Sequence, residues 1–218
     1  MRIRNEEDLE EKIDKDLAWR KKEFTTLKLL IQDSRRHQRK ILLRSYVALL
    51  YSHWEGHVKY CSQAYLSFIK CKGISYCDLK DNFFQLSLEE KFDNQFSFKS
   101  YNSQKKIVGY IRSECKEKFS VNVGRVIDTE SNLKFSVFYN IMGKLGLDIS
   151  PFELKKQFID SMLLKMRNSI VHGEHSSEEE LENIFKEIDN HFIGIIMCFN
   201  NAIKNAIISK SYCAVKAK

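Results

Sequence analysis

The sequence has little proline and little glycine, with one Pro and eight Gly among 218 residues. Because these residues interrupt helices, their scarcity permits helices to run far without a break. No run of eighteen apolar residues occurs, which argues against a membrane span. The basic residues near the N-terminus precede no apolar stretch, so we predict no secretory signal. We therefore expect a cytoplasmic protein without membrane contact.

The sequence also lacks the spacing of a metal or disulfide site. Its six cysteines show no CxxC pair, which argues against structural zinc and against a disulfide framework. His53 and His57 stand four residues apart with Glu55 between them, so two metal ligands could share a helix face. No third ligand is evident beside them. We expect no metal and no other cofactor.

Positive charge is in excess. The sequence has 36 Lys and Arg residues and 29 Asp and Glu residues, so its net charge is +7. Residues 34–44 are basic without an acid, whereas residues 173–189 are strongly acidic. A basic stripe favours a polyanion such as RNA, and a solvated helix face is the alternative. The residues predicted to contact the RNA backbone are Arg35, Arg36, Arg39 and Lys40.

Apolar residues recur every three or four positions in two blocks, about 6–72 and 150–210. This periodicity predicts two pairs of long helices. Between them, residues 74–148 show weak periodicity, which indicates short helices and loops, with a short strand over 119–128. The sequence predicts an all-α antiparallel bundle of four core helices with an irregular middle insertion, in a single domain over 1–218.

A helical stretch in the second block ends with Arg167, Asn168 and His172, followed by Gly173. In a regular helix Arg167 and His172 are about 140° apart, so they share a side only if the helix breaks near Gly173. A guanidinium beside an imidazole suits phosphate chemistry, because Arg binds phosphate and His moves protons near neutral pH. The same residues are common at helix C-termini, so spacing alone also allows a structural role.

The order Arg167, Asn168, three residues, His172 resembles the RNxxxH signature of the HEPN superfamily. Residues 42–60 are similar to a helix of a stand-alone, HEPN-like nuclease subgroup in bacteria, and 131–137 match more loosely. The resemblance implies a HEPN-like bundle that acts as a metal-independent endoribonuclease, with the site at the interface of a homodimer. It implies that His172 is the general acid/base, that Arg167 stabilises the transition state and that Asn168 orients the site.

The resemblance also implies a biological role and partners. Many family members are toxins or phage-defence effectors restrained by another protein, so it implies an RNA substrate and an antitoxin or inhibitor. Three further residues are predicted to support the site. The family's second helix often contributes a polar group, as Glu55 would here; Arg44 lies on the same face as Glu55; and Asp160 could form an ion pair with Arg167.

Two other functions stay open from the sequence. A HEPN-like domain with an intact motif could bind RNA, nucleotide or protein without cutting it. A DNA nuclease is disfavoured, because DNA lacks the 2′-hydroxyl that a site of this type uses as its nucleophile, and no carboxylate cluster for metal ions is apparent.

Overall fold

The computed structural model describes residues 3–92, 97 and 99–215, and these residues fold into helices joined by short connections. No β-strand occurs among them, although two isolated bridges join chain segments. The predicted all-α fold class is confirmed. The long helices are α1 (Glu6–Gln32), α2 (Arg36–Lys72) and α9 (Glu178–Ile208). The shorter ones are α3 (Asp81–Lys91), α4 (Tyr101–Glu114), α5 (Val123–Val126), α6 (Phe135–Leu145), α7 (Ser150–Glu153), a π-helix (Phe158–Lys165) and α8 (Met166–Val171).

Local signals set the ends of the first two helices. The side chain of Asn5 accepts a hydrogen bond from the Asp8 N–H at the start of α1, where three acidic residues suit the helix dipole. Helix α2 ends at Gly73, which adopts φ +63°. Glycine takes this left-handed conformation without the clash that a Cβ causes.

Helix α2 is the central element of the core and packs against α1, α6, α8 and α9. Trp54 of α2 is fully buried, with its ring centroid 5.2 Å from that of Phe138 on α6. Phe138 in turn contacts Phe152 at 5.0 Å and Phe199 of α9 at 5.7 Å. Truncation of one such aromatic residue to alanine typically costs about 3–5 kcal/mol. This cluster fixes α6 and α9 against α2.

The middle segment consists of short helices and loops, as predicted, but the short strand predicted over 119–128 is wrong. Phe119 and Val121 are buried in alternation, as the pattern indicated. The Asn122 side chain then accepts from the Gly124 N–H and caps the helical turn α5. A side-chain cap thus ends the extended run after a few residues.

The segment that leads to the motif is not one regular helix. Helix α7 ends at Glu153, Leu154 is 95% exposed, and the chain resumes as a π-helix over Phe158–Lys165 before α8. A π-helix has a wider turn than an α-helix and often occurs at functional sites. It changes the face that the following helix presents to α2.

Helix α9 is long and apolar enough to cross a membrane by length and composition, and it is the one such helix among the described residues. Its side chains Ile188, Phe192 and Phe199 are buried, and it packs against α1 and α2. Core helices pass the same test, so this property is weak evidence for a membrane span.

Candidate functional site

Helix α8 carries the predicted catalytic residues Arg167 and Asn168, and His172 follows directly after its last residue. The His172 N–H donates to the Asn168 carbonyl at 2.9 Å, and Gly173 then adopts φ +75°. Arg167 and His172 therefore leave the helix about 140° apart, and the chain turns only after His172. Two hydrogen bonds close the helix end, from the Gly173 N–H to Ile170 O (3.1 Å) and from the Glu174 N–H to Ser169 O (3.0 Å).

The Arg167 guanidinium is held in a defined position. Its central carbon lies 4.9 Å from the centroid of the Tyr51 ring, and Nη1 donates to Asn132 Oδ1 at 3.2 Å and to Asn168 Oδ1 at 2.8 Å. Nε and Nη2 have no hydrogen-bond partner within the described part of the chain. A guanidinium stacked on an aromatic ring keeps its donors aimed at a ligand.

Tyr51 connects Arg167 to the residue predicted to support the site, Glu55. The Tyr51 ring is buried, and its hydroxyl accepts from the Leu133 N–H and donates to Glu55. Burial, followed by the charge of Glu55, raises the pKa of Tyr51. The phenol therefore stays protonated. Glu55 also accepts from Thr129 Oγ1 at 2.6 Å, so its hydrogen bonds in the structure are with Tyr51 and Thr129.

The predicted ion pair between Asp160 and Arg167 is not formed. Asp160 Oδ1 instead accepts the Phe135 N–H at 2.7 Å, at the start of α6. A carboxylate at this position satisfies a free backbone donor of the helix N-terminus. Asp160 therefore fixes α6 beside the site, and the asparagines hold Arg167.

Arg44 binds the end of the motif helix. Its Nη1 donates to the Glu174 carbonyl at 2.7 Å and its Nη2 to the Ile170 carbonyl at 3.1 Å. Arg44 was predicted to support the site, and the partners that the structure gives it are these two backbone carbonyls. A cation at this end suits both the helix dipole and the free carbonyls. Arg44 thereby fixes the backbone around His172.

The predicted RNA-binding stripe divides into two pairs of residues. Arg39 forms an ion pair with Glu182 and donates to the Ile31 carbonyl, and Lys40 lies 3.2 Å from His175 Nε2. Lys40 and Arg44 together form the α2 clamp, which holds the end of α8 and the segment that follows it, whereas Arg39 binds α9 and α1. Arg35 and Arg36 are exposed. Half of the predicted stripe is therefore engaged inside the molecule.

His53 and His57 face the opposite side of α2, towards α1 and α9. His57 is fully buried between Asp16 Oδ2, 2.5 Å from Nδ1, and Asn200 Oδ1, 2.8 Å from Nε2. Cys61 Sγ lies 3.5 Å from Nε2 of the same ring. Asp16, His57 and Cys61 thus offer metal-ligand atoms within 4.8 Å of one another.

Arg20 and His53 extend this cluster through hydrogen bonds. Arg20 binds Asp16 through two nitrogens, at 2.7 and 3.1 Å, and its Nη1 lies 3.0 Å from His53 Nδ1. Burial alone would raise the pKa of Asp16, but the hydrogen bonds from His57 and Arg20 lower it overall. Arg20 places a positive charge where a metal ion would otherwise be attracted. We interpret the cluster as a buried polar network that fixes α1 against α2.

Sequence reasoning missed Tyr51, Thr129 and Asn132, which contact Glu55 or Arg167. Tyr51 was detectable, because it lies seven residues after Arg44 and four before Glu55, and this spacing puts all three on one helix face. Thr129 and Asn132 come from the middle insertion, and only the loose match over 131–137 pointed to that region.

The motif resemblance pointed to two parts of the fold. These are helix α8, which carries the fixed Arg167, and the adjoining face of α2. The RiboL-PSP-HEPN family model matches residues 15–205, which is most of the chain. Comparison with curated proteins and with solved structures gives no match. HEPN proteins are helical and commonly ribonucleases, in agreement with the fold described above. The chain belongs to the RiboL-PSP-HEPN family of the HEPN superfamily.

Proposed function

We propose that this protein is a metal-independent endoribonuclease whose catalytic residues are Arg167 and His172, with Asn168 orienting the guanidinium. The observation that carries the proposal is the fixed Arg167: a ring and two amides hold it, and two of its nitrogens are left for a ligand. It lies on α8, and His172 follows directly after that helix. A fixed cation stabilises developing negative charge without reorganisation, and this is the largest contribution to many enzymatic rates.

The reaction needs a proton carrier and an anion-binding group. His172 would take the proton of a ribose 2′-hydroxyl, whose oxygen attacks the adjacent phosphorus. The bond from phosphorus to the 5′-oxygen breaks, and His172, now protonated, returns the proton to that leaving oxygen as the general acid. Arg167 would stabilise the negative charge on the phosphoryl oxygens during this exchange. The products are a 2′,3′-cyclic phosphate and a 5′-hydroxyl.

We propose that the working unit is a homodimer. Because Arg167 and His172 leave α8 about 140° apart, one copy does not aim both groups at the same phosphate without rearrangement. Two copies that pair their motif helices would bring the Arg167 of one beside the His172 of the other. The exposure of His172 supports such an arrangement.

The experiment that tests the proposed activity is cleavage of a mixed RNA in excess EDTA. We expect the wild-type protein to cut, and Arg167→Ala and His172→Ala each to lose at least about 10²-fold in rate. His175→Ala is the matched control, because this exposed histidine lies three residues away and contacts Lys40. Equal activity in all four proteins would contradict the assignment. Binding of RNA without cleavage by the wild type would favour the binding module.

A role as a cytoplasmic toxin or phage-defence effector, restrained by an inhibitor protein, is a further proposal that rests on the family resemblance. Induced expression in a bacterium should arrest growth, and the His172→Ala variant should not. Normal growth with active wild-type enzyme present would instead favour a role in RNA processing.

A further inference from the structure

A turn in an unfavourable backbone conformation lies beside Arg167. Glu130 and Ser131 have φ values of +54° and +55°, in the left-handed region. Residues with a Cβ seldom adopt this region, and two in succession are less common still. Such conformations persist only where surrounding contacts hold them, and they concentrate at active sites and ligand clamps.

The contacts that hold this turn come from the candidate site. Thr129 is buried and donates to Glu55 at 2.6 Å on one side of the turn. On the other side, the buried Leu133 donates its N–H to the Tyr51 hydroxyl. Both anchors are residues of α2 on the face that contacts α8. The site therefore determines where the residue between them, Asn132, is placed.

The orientation of the Asn132 amide follows from its partner. Asn132 Oδ1 lies 3.2 Å from Arg167 Nη1, and a guanidinium has only donors, so the oxygen must face it. The amide nitrogen Nδ2 then points elsewhere, with two N–H groups. In the described part of the chain Nδ2 has no hydrogen-bond partner, and the Asn132 side chain is exposed.

We propose that Asn132 is a substrate-binding residue, whose Nδ2 donates to a non-bridging oxygen of the RNA phosphate that Arg167 binds. This inference rests on the proposed ribonuclease function. A phosphodiester has two such oxygens, and the free nitrogens of Arg167 together with the adjacent Nδ2 supply donors for both. The turn at Glu130 and Ser131 holds Asn132 in place before the RNA arrives, so the hydrogen bond needs little reorganisation.

A competing explanation is that Asn132 only positions Arg167. Asn132→Asp separates the two, because aspartate keeps the acceptor for Arg167 and lacks the donor. Its second oxygen would repel the phosphate. A positioning role predicts that Asn132→Asp retains activity. A substrate-binding role predicts that it loses activity at least as severely as Asn132→Ala.

The test measures both cleavage and binding. Cleavage of RNA in EDTA is followed by gel, and binding is followed by fluorescence anisotropy of a labelled 2′-O-methyl RNA, which cannot supply the nucleophile. We expect Asn132→Ala to lose about 10²-fold in cleavage rate. We expect Asn132→Asp to lose at least as much and also to bind the 2′-O-methyl RNA more weakly. Asn102→Ala, at an exposed asparagine on α4, is the control and should match the wild type in both assays.

Each alternative outcome has a distinct meaning. Asn132→Asp that cleaves and binds like the wild type overturns the inference and leaves the ribonuclease proposal intact. Loss of cleavage with unchanged binding of the 2′-O-methyl RNA also overturns it. If the wild type binds the 2′-O-methyl RNA but does not cleave unmodified RNA, the ribonuclease proposal fails. Weaker binding by Asn132→Asp would then still support the contact between Asn132 and RNA.

Discussion

Single side chains around Arg167 show how a flexible cation becomes part of a rigid site. An arginine on a helix surface loses considerable side-chain entropy when it is fixed. Here the Tyr51 ring and the Asn132 amide hold the guanidinium, and both belong to segments with other anchors. The ordering is therefore completed on folding, before any ligand arrives. Neighbouring groups thus hold the Arg167 side chain in one position, whereas Arg36 is exposed to solvent.

The Tyr51 hydroxyl is expected to contribute to stability through its two partners. Tyr51→Phe keeps the ring under Arg167, but it leaves the buried Leu133 N–H without its acceptor and removes one of the two donors to Glu55. We expect the free energy of unfolding in urea to fall by about 1–3 kcal/mol. Tyr139→Phe, at a tyrosine that is 53% exposed, is the control and should change it by less than about 0.5 kcal/mol. Equal stability of both variants would show that the hydroxyl contacts are unimportant.

At the scale of secondary-structure elements, the connection after α8 depends on a glycine and on the α2 clamp. Gly173 has φ +75°, and a Cβ at this position would meet no atom within 4 Å, so the backbone conformation alone selects glycine. Sequence reasoning placed this helix end correctly, because glycine after a helical pattern is a local signal. The contacts that Arg44 and Arg39 make with residues far along the chain leave no local pattern in the sequence. All four basic residues of the stripe were therefore predicted to bind RNA.

Substitution of two glycines should have opposite effects on stability. Gly173→Ala forces a Cβ into the left-handed region, and we expect a loss of about 1 kcal/mol in the free energy of unfolding. Gly109→Ala, inside the exposed helix α4, should raise it by about 0.5–1 kcal/mol, because alanine favours helix and nothing lies within 4 Å. Thermal or urea unfolding measures both. A Gly173→Ala variant with the same free energy of unfolding as the wild type would contradict the left-handed conformation of Gly173 at this helix end.

The two halves of the basic stripe should behave differently. Arg36→Ala removes an exposed charge, so RNA binding should weaken, and the slope of log affinity against log salt concentration should fall by about 1. Arg39→Ala should leave that slope unchanged and lower the stability, since Arg39 is bound to Glu182 and to the Ile31 carbonyl. Salt titrations of RNA binding together with urea unfolding separate the two effects. A larger salt effect for Arg39→Ala than for Arg36→Ala would reverse the assignment.

At the scale of the whole molecule, α2 separates two polar regions with different roles. One face meets α8 and the candidate site, and the other meets α1 and α9 through the buried network. Three long helices were predictable from periodicity, because long amphipathic helices repeat their apolar residues. The fourth predicted long helix is instead divided into α7, the π-helix and α8. The internal network was not predictable, because the spacing of His53 and His57 indicates that they share a helix face but does not indicate their partners. Their actual partners, Arg20 and Asp16, come from another helix.

The buried network should make folding sensitive to mild acid. Burial, followed by the positive charge of Arg20, lowers the pKa of His53, and Nδ1 must stay unprotonated to accept from Arg20. An unfolded histidine binds protons below a pH of about 6.5. His53 therefore contributes its full stability above that pH and loses it as the pH falls towards its lowered pKa. We expect the Tm to decrease between about pH 7.5 and 5.5.

The corresponding variant is His53→Gln, which keeps an acceptor for Arg20 but does not titrate. Its Tm should depend less on pH across the same interval than that of the wild type. His37→Gln, at an exposed histidine, controls for the loss of an imidazole. The same slope in His53→Gln as in the wild type would exclude His53 as the source of the acid sensitivity.

The proposed dimer makes a prediction about mixed variants. Arg167→Ala and His172→Ala proteins should each be inactive, and a refolded mixture should regain activity. A heterodimer then has one intact pair, the Arg167 of one copy and the His172 of the other. With random exchange about half of the dimers are mixed, and each has one of two sites, so roughly a quarter of wild-type activity is expected. An inactive mixture that contains verified heterodimers would place both residues in one chain.

The central claim is that this helix-end motif directs the 2′-hydroxyl of RNA against its own phosphate. The most direct measurement is the chemistry of the product ends, made in EDTA on an RNA whose cleavage position has been mapped. We predict a 2′,3′-cyclic phosphate and a 5′-hydroxyl, and no cleavage when the nucleotide on the 5′ side of that position is 2′-deoxy. A 5′-phosphate product, or cleavage of the 2′-deoxy substrate at the same position, would contradict the account.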